Sequence, residues 1–111
     1  MNYNEYKDCI DACNECVAIC NHCLSSCLQE EDVSKMAECI RLDYECVIVC
    51  RAAADLMSTG SKYVPPMCQL CAEVCNACAE ECGKHDNDHC RQCAETCKRC
   101  AEMCMDMVTS I

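Results

Sequence analysis

The sequence predicts an all-α protein, an antiparallel up-down-up-down four-helix bundle with a cysteine-lined core. Three observations predict it. Cysteines recur in alternating steps of four and three, the seam spacing of a bundle helix. Only two Gly and two Pro occur in the chain, and they fall where helices would begin or stop. A length of 111 residues suits one modest core, so residues 1–111 read as a single domain.

The first helix is capped by Asn2 or Asn4 and runs to about Gln29. Its seam is Cys9, Cys13, Cys16, Cys20, Cys23 and Cys27. Asp32 can cap the second, and Gly60 offers its stop. That helix holds only Cys39, Cys46 and Cys50, among the larger apolar residues Ile40, Leu42, Val47, Ile48, Val49 and Leu56. Pro65 and Pro66 suit the first turn of the third, where a missing N–H costs nothing. Its seam is Cys68, Cys71, Cys75, Cys78 and Cys82, and Gly83 closes it. The polar turn KHDND, Lys84 to Asp88, supplies caps for the fourth, whose seam is Cys90, Cys93, Cys97, Cys100 and Cys104. The third and fourth segments repeat each other: CAEVCNACAEEC and CAETCKRCAEMC match at eight of twelve positions. Short connections between long helices favour antiparallel neighbours.

Charge and composition exclude several functions. A formal charge of −10 disfavours nucleic acid, because phosphate binding needs a basic face. No run approaches the length of a membrane-spanning helix. The start MNYNEYKDC has neither a basic nor an apolar leader region, which points to the cytoplasm. In that reducing compartment a cysteine pattern means metal or catalysis more often than crosslinks. The odd count of 19 cysteines also leaves at least one unpaired.

The interior is unusual, with no Phe and no Trp. Free Cys is a small hydrophobe, and Leu or Ile would fill the same positions better, so something else should fill this core. Side chains at i and i+4 have Cβ atoms about 5–6 Å apart, whereas a disulfide needs about 3.5–4.5 Å. A soft metal ion held between two sulfurs suits the wider gap. Eight such CxxxC pairs occur, from Cys9/Cys13 to Cys100/Cys104, leaving Cys39, Cys68 and Cys90 over.

Thiolate favours Cu(I), Zn(II) and iron–sulfur clusters. Four tetrahedral zinc ions on sixteen thiolates would leave about eight uncompensated negative charges in a low-dielectric core. One Cu(I) per thiolate leaves it neutral. The ferredoxin run C-x₂-C-x₂-C is absent. Multiple Cu(I) ions per chain are therefore the expected cargo, with a zinc- or iron–sulfur-binding module or a thiol redox protein as alternatives. An enzyme is not expected, because no CxxC thiol pair is set apart from its repeats.

The bundle topology brings Met36, His85 and His89 to a common mouth, with His22 one turn below and pointing outward. His85 and His89 are candidate metal contacts there, or simply residues of a capped, solvated turn. Met57, Met67, Met103, Met105 and Met107 gather towards the other end. Asp43 occupies a seam position, where it could hydrogen-bond within the core or touch metal at one edge, but it is expected as a partly exposed structural carboxylate. Helix two spreads its apolar residues beyond one seam, which predicts a symmetric oligomer.

The helical CxxxC pairs, CIRLDYEC (Cys39 to Cys46) and the turn CGKHDNDHC (Cys82 to Cys90) together resemble the bacterial cytosolic copper storage proteins. The resemblance covers essentially the whole chain. It implies a four-helix bundle whose core fills with Cu(I), assembly as a homotetramer, and a role in storage or detoxification.

Overall fold

The computed structural model describes residues 2–110. Helix α1 spans Tyr3–Cys27. Asn2, rather than Asn4, caps it: the Asn2 side chain accepts from the Glu5 amide, and the Glu5 carboxylate accepts from the Asn2 amide, each at 3.1 Å. This reciprocal capping box satisfies two backbone donors at once. The helix ends two residues short of the expected Gln29, whose amide bonds back only to the Ser26 carbonyl.

Asp32 does not cap a long helix. It precedes a 3₁₀ turn, Val33–Met36, and its carboxylate accepts from the Ser34 hydroxyl instead. Helix α2 follows as Ala37–Thr59 and ends at Gly60, which adopts the left-handed conformation at φ 66° and ψ 37°. Glycine reaches that region without a Cβ penalty, and the Ser61 amide then closes onto the Leu56 carbonyl at 3.0 Å. Helix α3 spans Val64–Cys82 with Pro65 and Pro66 in its first turn. Gly83 ends it in right-handed geometry, so no conformational freedom is being used there. Helix α4, Asp88–Ser110, begins where the Cys90 and Arg91 amides converge on the Asn87 carbonyl, each at 3.0 Å.

The expected four-helix bundle forms. Consecutive helices pack on one another and α1 closes the ring on α4, giving a rod of 46 × 19 × 18 Å. None of the described helices is long and apolar enough to cross a membrane. All 19 cysteines line the axis. Met57, Val64 and Tyr6 are buried where α1 and α3 begin and α2 ends, and they fill that end of the rod. The opposite end gathers Cys27, Met36, Cys39, Cys82 and Cys90, beneath the Gln29–Asp32 and Lys84–Asn87 connections.

Candidate metal centre

The alternation of three- and four-residue steps holds each seam on one face of its helix, so the four seams meet at the axis. Within a helix, consecutive turns set the sulfurs at nearly constant separations. Cys16 and Cys20 are 3.8 Å apart, Cys46 and Cys50 3.9 Å, and Cys78 and Cys82 4.0 Å. The shortest approaches instead run between helices. Cys39 and Cys82 lie 3.2 Å apart, Cys46 and Cys75 3.4 Å, and Cys20 and Cys97 3.5 Å.

The thiols consequently group in fours that draw on three helices at a time. Cys13, Cys71, Cys100 and Cys104 form one group, and Cys16, Cys46, Cys50 and Cys75 another, each with all sulfurs within 4.8 Å of one another. Cys16, Cys20, Cys46 and Cys97 make a third, and Cys20, Cys78, Cys93 and Cys97 a fourth. Several residues belong to two groups. Independent tetrahedral sites, each owning four sulfurs, cannot use all these groups at once. Ions that share sulfurs can. The CxxxC pair is therefore only part of the unit: i,i+4 spacing reveals the within-helix partner but not the closer one across the bundle.

Asp43 corrects the sequence expectation. It is fully buried, not partly exposed. Its Oδ1 accepts from the thiols of Cys78 and Cys93, each at 3.2 Å, and of Cys82 at 3.7 Å. Its Oδ2 accepts from Cys39 at 3.9 Å. Burial pushes its carboxyl up to about 11, and any negative charge on Cys93, Cys78 or Cys39 would push the same way. A neutral carboxyl held by four thiols is a polar node in an otherwise sulfur-filled interior.

His89 stands at the mouth, 13% exposed. Its Nδ1 is 3.5 Å from Cys90 Sγ, 3.6 Å from Cys23 Sγ and 3.8 Å from Cys27 Sγ, all within the reach of sulfur hydrogen bonds. Cys23, Cys27, Cys39 and Cys90 are themselves one of the four-sulfur groups. Burial raises the Cys27 and Cys90 thiols, Cys90 to about 12, so both are protonated at neutral pH. His85 turns elsewhere: its Nε2 pairs at 3.0 Å with Glu81, in the last turn of α3. Met36 is buried at this end, and His22 faces solvent as expected.

Glu30 is the residue that sequence reading missed here. Its Oε1 lies 3.0 Å from His89 Nε2 and takes a second hydrogen bond from Asn87 Nδ2, also at 3.0 Å. The bond to His89 holds the Glu30 carboxyl below its usual range. No signal could have found this contact, because the two residues lie 59 positions apart and neither sits on a seam.

This donor set consists almost wholly of soft thiols, with one imidazole at its edge, and thiolate sulfur is the ligand class that selects Cu(I), Zn(II) or iron–sulfur clusters. Comparison with known proteins narrows that choice. The family model described as copper storage protein matches residues 2–109. The Cu(I)-bound copper storage protein BsCsp3 is 47% identical, with a TM-score of 0.90 over 93% of this chain and 97% of that one. A cytosolic copper storage protein from Streptomyces lividans, bearing five coppers, is 35% identical, with a TM-score of 0.94 over 98% of this chain and 96% of that one. An uncharacterized cysteine-rich protein of Bacillus subtilis, YhjQ, is 48% identical over 81 residues, 73% of this chain and 75% of that protein.

Proposed function

The chain belongs to the copper storage protein family, and from that premise we propose how its residues take up and hold the metal. The protein stores Cu(I), many ions per chain, and copper is its cargo. The ligands are the 19 cysteine thiolates acting as a continuous lattice. The observation that carries this reading is the overlap of the four-sulfur groups, in which Cys16, Cys20, Cys46 and Cys97 each serve two. Sulfurs that bridge ions let a neutral core fill end to end, since each Cu(I) replaces one thiol proton.

Copper enters at the mouth. His89 offers a nitrogen beside Cys23, Cys27 and Cys90, and hands the ion to the first sulfur group. His85 is a weaker candidate, because its imidazole is taken up by Glu81. At the far end the buried Met57, Val64 and Tyr6 close the rod, so loading proceeds inward from one side. No catalytic step is assigned to any residue.

The protein acts in the cytosol, as the Streptomyces lividans relative does, and assembles as a homotetramer. Tyr44 and Ile48, 61% and 50% exposed on the outer face of α2, support a buried interface there.

Anaerobic titration of the reduced protein with Cu(I) and, separately, Zn(II) tests the lattice. Cu(I) should saturate near the thiol count of 19 per chain. Saturation at about four or five equivalents, the limit for four-ligand sites, would contradict it.

A further inference from the structure

We propose that Glu30 is a positioning residue for copper uptake, holding the His89 ring so that an unprotonated Nδ1 faces the sulfurs at the mouth. The inference deepens the mouth reading given above and rests on it.

A neutral imidazole has one donor nitrogen and one acceptor nitrogen, and the partner of one settles the role of the other. An ionised carboxylate only accepts. Glu30 Oε1, 3.0 Å from Nε2, therefore requires the proton to sit on Nε2. The lone pair is then on Nδ1, the nitrogen that lies 3.5–3.8 Å from the sulfurs of Cys90, Cys23 and Cys27. Asn87 donates to the same Glu30 oxygen from the turn that starts α4. The carboxylate is thus fixed from two directions, between the residues following α1 and the first turn of α4. Carboxylate–histidine pairs of this kind orient the ring and raise its basicity towards a metal, and losing the carboxylate typically costs about 10–100-fold in affinity or activity.

Three variants test this. Glu30→Leu removes the acceptor, Glu30→Gln keeps one acceptor oxygen, and His89→Ala removes the ring. Glu30 is partly exposed in a connection outside the helices, so its two substitutions leave the bundle intact. In the reduced, metal-free protein, ¹H–¹⁵N spectra above pH 7.5 should show a His89 Nε2–H slow to exchange in the wild type and in Glu30→Gln. That signal should be lost in Glu30→Leu. Stopped-flow transfer of the first Cu(I) equivalents from a chelator should slow by about 10-fold in Glu30→Leu, with most of the rate retained in Glu30→Gln and capacity unchanged in both. A His89 proton on Nδ1 in the wild type overturns the proposal, as does an unslowed Glu30→Leu beside a slowed His89→Ala. A His89→Ala protein that loads at the wild-type rate overturns this proposal and the mouth reading together.

Discussion

Asp43 Oδ1 lies 3.2 Å from Cys93 Sγ, a thiol hydrogen bond that crosses the bundle from α2 to α4, helices that do not neighbour each other in the ring. The carboxyl that makes it is neutral, held at about 11 by burial against an ordinary value of 3.8. An acid whose proton is held more tightly in the folded state weakens the fold wherever the unfolded chain gives that proton up. Its contribution is intact below pH 3.8 and declines as pH rises from there towards 11, by a little over 1 kcal/mol per pH unit at most. Thermal melts of metal-free wild type and Asp43→Asn between pH 4 and pH 8 should therefore diverge. The variant should have the flatter profile and gain on the wild type as pH rises. Parallel profiles would show that Asp43 is ionised in the folded protein.

Removing one central pair should thin the lattice without breaking it. Cys78 and Cys82 join the group of Cys20, Cys93 and Cys97 and the short contact to Cys39. The groups around Cys13, around Cys16 and Cys50, and around Cys23 share neither residue. Replacing both by Ala should lower Cu(I) capacity by roughly two ions, one for each lost thiolate, and loading should release about one proton per ion bound. Ion counts by elemental analysis and proton release in weakly buffered solution read both quantities. Loss of all binding in this variant would refute a shared lattice.

These two cases also mark what could be read in advance. The seams, their order along the chain and the stop at Gly60 follow from period and local chemistry, so the four helices were legible. So was the gathering of the cysteines into one core. The closest sulfur partners were not, because Cys39–Cys82 and Cys46–Cys75 depend on how α2 is rotated and shifted against α3, and spacing within one helix carries no information about that. Asp43 was misjudged for a related reason. A carboxylate on a seam is normally costly to bury, and only the packed bundle reveals that Asp43 is fully buried, which holds it neutral, with four thiols within hydrogen-bond reach. Asp32 failed as a helix cap because its carboxylate is held locally by Ser34 and a 3₁₀ turn intervenes.

The outer face of α2 should govern assembly. Packing within the bundle covers more of the apolar belt than its pattern suggests: Val47 is buried, and Ile40, Leu42, Val49 and Leu56 are partly covered. Tyr44 and Ile48 remain open, one helical turn apart. Placing Glu at both positions should convert the oligomer to monomers, because two charges would have to be buried at each contact. Copper capacity per chain should stay unchanged, since neither side chain reaches the core. Light scattering that reports a monomeric wild type at micromolar concentration, or an intact oligomer in the double variant, would rule out this face.

Metal should not be needed for the helices to form. In zinc fingers binding supplies the folding free energy outright, since the apolar core is too small to act alone. Here the structural devices are independent of any ion. The Asn2–Glu5 capping box begins α1, Gly60 ends α2, and Asn87 anchors the first amides of α4. Met57, Val64, Tyr6 and Ile10 are buried at the closed end, and the alanines Ala53, Ala54, Ala72 and Ala101 are buried along the bundle. Buried thiols add to this as small hydrophobes so long as they stay protonated. The reduced, metal-free protein should accordingly give a strongly helical circular dichroism spectrum at neutral pH. Asn2→Ala should lower its melting temperature through the loss of about 1 kcal/mol of capping while leaving copper capacity intact. A random-coil spectrum for the reduced protein, with helix appearing only as Cu(I) is added, would show instead that the cargo builds the bundle.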